Sequence, residues 1–445
     1  MTDSTQKNRA QVLQIVKEKN VKQISLWFAD IRGFLKSLDI TPRELDGALR
    51  DGFGFDGSSV EGFARIDESD MIAMPDATTF QLLPWSQPDC PVGRMMCDIK
   101  KPGGDPFEGD PRYVLKKNLQ RATKLGYVFN VGPELEFFYF KSPKNTEMLD
   151  EGGYFDLTPP DIASDLRLES VLSLEQMGIK VQSSHHEVAT SQHEIDLQYT
   201  DALSMADNIM TAKLVIKEIA EKHGLYATFM PKPVFGIAGN GMHVHQSLFK
   251  NGRNAFYDRK DPFFLSKTAR HYTAGLLKHA PELTAIVSQW VNSYKRLVPG
   301  YEAPVYVSWA RRNRSDMIRI PMYQPGKENA TRIEFRVPDP ACNPYLAFSV
   351  LLAAGLEGIE KEYPLGAPIE ENVYEMSQKE RDERGITSLP GSLFEAVLVT
   401  EKSKIVHKAL GEHVFNSFVQ NKKMEWDEYR TQITEYELKR YLPVL

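Results

Sequence analysis

Gly132-Pro133-Glu134-Leu135-Glu136-Phe137-Phe138 places two carboxylates two residues apart in a run that otherwise reads as a buried strand. Tyr127-Val128-Phe129 precedes it and Phe137-Phe138-Tyr139-Phe140 follows. A strand repeats every two residues, so both glutamates leave the same face. Like charges on one face repel, and burying either without a partner is costly. A divalent cation between them relieves both costs. The alternative is a solvated strand face, because Glu is usually exposed. The apolar flanks argue against it.

With 445 residues the chain has room for two or three domains with sizeable cores. Apolar residues at 42% and charged residues at 26% are ordinary soluble-globular usage. A net charge of −6 gives no case for nucleic acid or an anionic membrane surface as partner. Cys90, Cys97 and Cys342 are odd in number and form no CxxC spacing, which argues against a disulfide framework or a thiolate zinc site. A reducing cytoplasm fits. Met1 to Lys19 is polar, without the apolar core of a signal peptide, and no apolar run is long enough to predict a membrane span.

The pattern predicts a short amphipathic helix over 8–19, then a hairpin made by 24–28 and 34–40 around Asp30 to Gly33. Further strands are expected near 71–74, 79–84 and 92–99. Turn formers crowd Lys101 to Pro106, and a domain boundary is placed there, giving 1–104 and 105–445. Asp110-Pro111 reads as a helix start, with Gly126 as the stop. The Glu-x-Glu strand comes next. Helices are then expected over 201–223, 343–360 and, in short pieces, 390–430, with strands at 226–230 and 242–249. The fold class that results is α+β: a small β-rich N-terminal domain and a large second domain.

Three more clusters carry chemistry. Glu187 and Glu194, in Ser184-His185-His186-Glu187 and Gln192-His193-Glu194-Ile195-Asp196, flank a turn-like Thr190-Ser191. If both face the Glu134/Glu136 strand, four carboxylates converge, an oxygen-rich set suited to Mg²⁺ or Mn²⁺. A histidine-rich surface loop is the plain alternative. His243 and His245 lie two apart after Gly239-Asn240-Gly241, where one can ligate a metal while the other donates to a phosphate. Arg296, Arg311, Arg312, Arg314, Arg319, Arg332 and Arg336 crowd one stretch, and guanidinium forks suit carboxylate and phosphate oxygens. Together these fit metal-assisted phosphoryl transfer to an anionic acceptor. The chain has no P-loop and no kinase signature.

Several long motifs in order then make the chain resemble type I glutamine synthetase along essentially its whole length. They are Phe55-Asp56-Gly57-Ser58-Ser59, the Gly132 to Glu136 run, Asn292 to Pro304, Asn313-Arg314-Ser315 and Pro338 to Tyr345. The resemblance implies a β-grasp N-terminal domain, a catalytic domain with an antiparallel sheet lining the active site, and a dodecamer of two stacked hexameric rings. Active sites would lie between subunits, with Asp56 and Ser59 arriving from the adjacent chain. One metal (Mg²⁺, or Mn²⁺) is implied at Glu136, Glu187 and Glu194, the other at Glu134, His243 and Glu334. Gln182, His245 and Ser247 match nucleotide positions. Asn240, Gly241, Arg296 and Arg336 match glutamate positions. Arg314 and Arg319 match the phosphate-facing arginines, and Tyr154 an ammonium-pocket residue. Asp56 would take the ammonium proton, and Glu302 resembles a flap residue that excludes water.

The implied reaction is ATP-dependent ligation of ammonia to glutamate through γ-glutamyl phosphate, in the cytoplasm. Length fits the shorter, non-adenylylated subtype, and Arg65 resembles its glutamine-feedback residue. A PII-like protein or a repressor is a candidate regulatory partner. Gln182 stands where many relatives carry Glu, and Trp309 to Asn313 is more basic than the common pattern. A ligase for polyamines or other amines is the near rival, but it should have lost the ammonium-pocket acids. A non-catalytic structural or sensor homologue should have lost metal carboxylates. Asp56, Glu187, Glu302 and every expected ligand are present.

Overall fold

The computed structural model describes residues 3–445 apart from 59, 61, 63–68, 302 and 314–315, so the expectations on Ser59, Arg65, Glu302 and Arg314 lie outside the described residues. Helix α1 (Asp3–Glu18) leads into β1 (Gln23–Ala29) and β2 (Leu35–Ile40), followed by α2 (Leu45–Asp51), β3 (Phe53–Asp56), β4 (Asp70–Pro75), β5 (Gln81–Leu82) and β6 (Val92–Lys100). The expected hairpin forms because the Asp30 carboxylate accepts from the backbone N–H of Arg32 (3.0 Å) and Phe34 (2.9 Å), closing the turn. The single strand expected over 79–84 is instead a 3-10 turn at Ala77–Thr79 and the two-residue β5, because the Asp76 side chain caps Thr78 and starts a helical turn.

The first sheet has the order β2–β1–β6–β4–β3, with β5 beside β6, and its β1/β6 pair is parallel. Strand β1 serves two cores through its two faces. Ile24, Leu26 and Phe28 join Val12, Val16 and Leu45 under α1 and α2. Trp27 and Ala29 point the other way, into the main core. The alternation that makes the strand also welds the two halves of the chain together.

The second half runs α3 (Pro111–Lys124), β7 (Val128–Phe140), α4 (Ser164–Gln176), β8 (Val181–His186), β9 (Gln192–Leu197), β10 (Thr200–Asp201), α5 (Ala202–Lys222), β11 (Tyr226–Thr228), β12 (Val244–Lys250) and β13 (Arg253–Asn254). It continues with α6 (Lys267–Val287), α7 (Ser293–Arg296), β14 (Trp309–Ala310), β15 (Ile318–Arg319), β16 (Ile333–Phe335) and α8 (Pro344–Glu360). Helices α9 (Gln378–Glu383), α10 (Leu393–Glu401), α11 (Lys404–Leu410), α12 (Glu412–Arg430) and α13 (Glu435–Tyr441) complete it. Its sheet has the order β14–β15–β16–β12–β7–β9–β8 and is antiparallel except for the β14/β15 pair. Leu135 and Phe137 of β7 face the helical core, which includes Met205 and Ile209 of α5. The sequence pattern did not announce α6, which carries Pro281 within it and packs along α8. Its start is ordinary: the Ser266 hydroxyl accepts from Ala269 N.

Asp110 joins the two halves. One carboxylate oxygen caps α3 at Arg112 N and the other accepts from Ile99 N of β6, both at 2.9 Å. Removing both acceptors in Asp110→Ala should cost about 1–3 kcal/mol of stability, the worth of a helix cap plus an orphaned buried N–H. The check is a lower denaturant midpoint at unchanged slope.

Candidate functional site

The site grows from sheet register. On β7, Glu136 lies opposite Glu194 of β9 and Glu134 opposite Asp196. On β8, His185 lies opposite the same Glu194. Across the other edge of β7, His245 of β12 lies opposite Gly132, Glu334 of β16 opposite His245, and Arg319 of β15 opposite Glu334. Two transverse rows therefore share one face: Arg319–Glu334–His245 and Glu136–Glu194–His185. His243 falls just before β12 rather than within it, yet its carbonyl accepts from Glu134 N at 3.0 Å, which keeps it in line.

Two donor groups result, each with ligand atoms within 4.8 Å of one another: Glu134, His243 and Glu334, and His185, Glu187 and Glu194. The first matches one expected ligand set. In the second His185 stands with Glu187 and Glu194, its Nε2 at 3.0 Å from Glu187 and 3.8 Å from Glu194. Glu136 lies between the groups: one oxygen is 3.9 Å from His243 Nε2, and the other accepts from Gly241 N at 2.8 Å and Gln192 Nε2 at 3.0 Å. His185 was legible as the residue two before Glu187 on the same face. Gln192, which also donates to Asn240 at 3.2 Å, had no such signal.

The electrostatics are those of a site built for cations. Burial pushes Glu136 up to about 8, and the Glu187 charge adds to it. Burial and the charges of Glu134, Glu136 and Asp196 hold Glu194 well above its ordinary value. At Glu134 burial acts upward too, but the His245 charge and the histidine hydrogen bonds (2.7 and 2.8 Å) outweigh it and hold the carboxyl well down. Glu334 shows the same contest: against burial, the charges of Arg336 and His245 bring it to about 2. Oxygen-rich, buried, mutually repelling donors with one imidazole per group fit Mg²⁺ or Mn²⁺.

Several of the remaining expected residues lie around this face. Gln182, His245, Ser247 and Arg319 line one cleft of about 740 Å³, together with Tyr199 and Arg332. Arg332 was not singled out for a role by the sequence, and its Nε lies 3.1 Å from His245 Nδ1, which orients that ring. Arg336 pairs with Glu334. Arg296 is buried and donates to the carbonyls of Val337 (2.8 Å) and Arg336 (3.1 Å). A side chain at Gly241 would meet Arg296 Nη2 at 2.7 Å and His243 Nε2 at 2.9 Å, so only glycine lets the backbone reach Glu136 here. Tyr154 is exposed, its ring 5.7 Å from that of His185. Asp56 is exposed on β3, and its carboxylate accepts from the N–H of Ser58 in its own turn.

Comparison with known proteins shows the family to which such a fold belongs. The glutamine synthetase beta-Grasp domain matches residues 20–102, and the glutamine synthetase catalytic domain matches residues 108–441. Glutamine synthetase of Methanosarcina mazei is 53% identical over 98% of this chain and 97% of its own length. A solved GmaS/ADP complex superposes with a TM-score of 0.89 at 33% identity, covering 97% of this chain and 99% of that one. The cryo-EM structure of Plasmodium falciparum glutamine synthetase gives 0.86 at 28% identity, covering 97% and 98%. The fold is thus a β-grasp domain followed by an α+β catalytic domain, as expected. The chain belongs to the glutamine synthetase family.

A cation entering this site must displace the proton that Glu136, pushed up to about 8, holds near neutral pH. Mg²⁺ affinity should therefore strengthen with pH, by about tenfold per unit below the Glu136 value for each proton displaced. Titration calorimetry in buffers of different ionisation heat measures that release, and an affinity flat across this range would contradict it.

Proposed function

We propose that this chain ligates ammonia to glutamate, using ATP, through a γ-glutamyl phosphate intermediate. The convergence of two carboxylate–imidazole groups on one sheet face, beside an arginine-lined cleft, carries the reading. Glu136, Glu187 and Glu194 would hold one divalent cation, with His185 at its edge, and Glu134, His243 and Glu334 the other. Bound there, Mg²⁺ or Mn²⁺ supplies charge neutralisation for the transferring phosphoryl group. The residues of the chain do the rest. Gln182, His245 and Ser247 seat ATP in the cleft, and Arg319 with Arg314 faces its phosphates. Arg296, Arg336, Asn240 and Gly241 orient glutamate so that its γ-carboxylate reaches the γ-phosphate in line.

The acid anhydride so formed turns a poor leaving group into a good one. ADP leaves as the anhydride forms. Ammonium enters beside Tyr154 and Glu187, loses a proton to Asp56, and the resulting ammonia attacks the acyl carbon. The attack expels phosphate and, after loss of a second proton, leaves the amide. Glu302 closes over the intermediate and keeps water from it. Because Asp56 lies on the exposed edge of the N-terminal sheet, we assign it and Ser59 to the site of a neighbouring copy in a closed ring, stacked as a dodecamer. That assembly would work in the cytoplasm.

The assay is phosphate release from ATP and glutamate with Mg²⁺, with ammonium or putrescine added in parallel. Release should depend on ammonium and be absent with putrescine. Glu334→Gln should lower kcat by about 10²–10³, the cost of one charge-stabilising group in phosphoryl transfer. Release that needs the amine, or none from assembled protein, would overturn the reading. The feedback role assigned to Arg65 has its own readout: Arg65→Ala should abolish inhibition by glutamine while leaving ammonium-dependent turnover in place, and unchanged inhibition would sink it.

A further inference from the structure

Directly behind the second donor group, on the opposite face of β8 and β9, lies a cluster that the reaction above does not use. His186 and His193 are the sequence neighbours of Glu187 and Glu194, so strand alternation sends them the other way. Both imidazoles and the Asp150 carboxylate are fully buried. Arg167 of α4 donates from Nη1 to His193 Nδ1 at 2.9 Å and is itself paired with buried Asp161 at 2.7 Å. His193 Nε2 faces Asp150 Oδ2 at 3.7 Å, and neither atom has another partner. Asp150 Oδ1 accepts from His186 Nε2 (3.1 Å), Ser191 N (2.8 Å) and Gly152 N (3.2 Å).

Hydrogen bookkeeping fixes the chemistry. Guanidinium only donates, so His193 Nδ1 is the acceptor and its proton sits on Nε2, aimed at Asp150. His186 Nδ1 lies 2.7 Å from the Glu187 carbonyl, which only accepts, so that nitrogen carries a proton. Its Nε2 pairs with the Asp150 carboxyl at 3.1 Å. Three such ligand atoms lie within 4.8 Å, which is the spacing of a metal site. With Nδ1 held by Arg167 and the proton on Nε2, His193 has no nitrogen to offer a cation, so the cluster reads as a linked polar chain in which His193 and Asp150 are in close approach at 3.7 Å.

That chain ends on the segment carrying Tyr154. Asp150 opens the segment, and Phe155 N donates to the His186 carbonyl at 3.1 Å. A Cβ on Gly152 would lie 2.6 Å from His186 Nε2, so the backbone rests on the ring itself. We propose that the buried Arg167–His193–Asp150–His186 chain is a positioning device. It holds the Tyr154 segment against the end of β8, where Glu187 follows, and thereby sets the affinity for ammonium. This rests on the ligase reading given above. The residues assigned to ATP and to glutamate, apart from Gln182, lie on the chain from Asn240 onward, so the device should leave those substrates alone.

The test uses the full, assembled chain. Asp150→Asn keeps shape and removes the charge that His186 and His193 share. It should raise the KM for ammonium by about tenfold, the lower end of what partners that orient site groups usually cost. The KM values for ATP and glutamate should stay within about twofold, inside the scatter of surface changes. His193→Gln offers an acceptor to Arg167 and a donor to Asp150, so it should keep near wild-type ammonium KM, whereas His193→Ala should not. A uniform rise in all three KM values, or a loss of kcat alone, would overturn the proposal. So would stoichiometric zinc in the purified wild type whose removal by chelator reproduces the Asp150→Asn kinetics. Absence of ammonium-dependent release in the wild type is a separate failure, that of the ligase reading.

Discussion

The mutual repulsion of buried carboxylates on one face of β7 organises this molecule. Glu134 and Glu136 share that face by strand period, and register brings Glu194, Asp196 and Glu334 alongside. Coulomb repulsion between such groups is large once water is excluded. The surroundings divide the burden. His243, His245, Arg319 and Arg336 compensate the Glu134–Glu334 side, which stays ionised. The Glu136–Glu194 side has the weaker partners His185 and Gln192, and its carboxyls are held up by burial. One half of the site is therefore pre-charged and the other is charged by what binds. The opposite face of the same strand makes this tolerable. Leu135 and Phe137 sit in the main core, so the acidic face cannot turn away to water without losing apolar burial of about 2 kcal/mol for each side chain.

What the sequence revealed follows from which forces are local. The Glu134/Glu136 pair was legible because a period of two is a property of one strand. Asp110-Pro111 was legible because a cap and a proline are read by the first turn alone, and the cap is present. Register was not legible from composition or spacing. That Glu136 faces Glu194 depends on β9 pairing with β7 on one edge and β12 on the other, a choice made by the whole sheet. His185 illustrates the boundary. Its spacing from Glu187 placed it on the correct face, but only β8 and β9 in register bring it to Glu194. Helix α6 was hidden for another reason: Pro281 argues against a helix locally, and packing along α8 overrides it.

The join between the two halves of the chain is as polar as the site and is satisfied far more completely. Arg112 is buried and meets Asp207 of α5 (2.9 Å), Asp98 of β6 (2.6 Å) and Asp76 (2.9 Å). Its guanidinium thus ties the first sheet to α5, and Tyr345 of α8 adds a hydroxyl to Asp207 at 2.7 Å. Truncating one partner of a buried ion pair strands the other, which typically costs about 3–5 kcal/mol. Such a junction resists hinge motion. Together with β1, whose two faces lie in two cores, it makes the N-terminal sheet a rigid extension of the catalytic domain.

That rigidity bears on how Asp56 is delivered. The residue lies on β3 at the outer edge of the first sheet, exposed. A flexible tether could fold it back onto its own site, but a stiff one cannot. On the proposed reading, each copy therefore presents Asp56 outward, at a fixed angle, to a neighbour that does the same in turn. A head-to-tail contact of this kind is heterologous, and it closes only as a ring. On that reading chemistry and assembly depend on one structural property: the buried arginine and shared strand that fix the N-terminal sheet also fix the angle at which Asp56 is offered to the next copy.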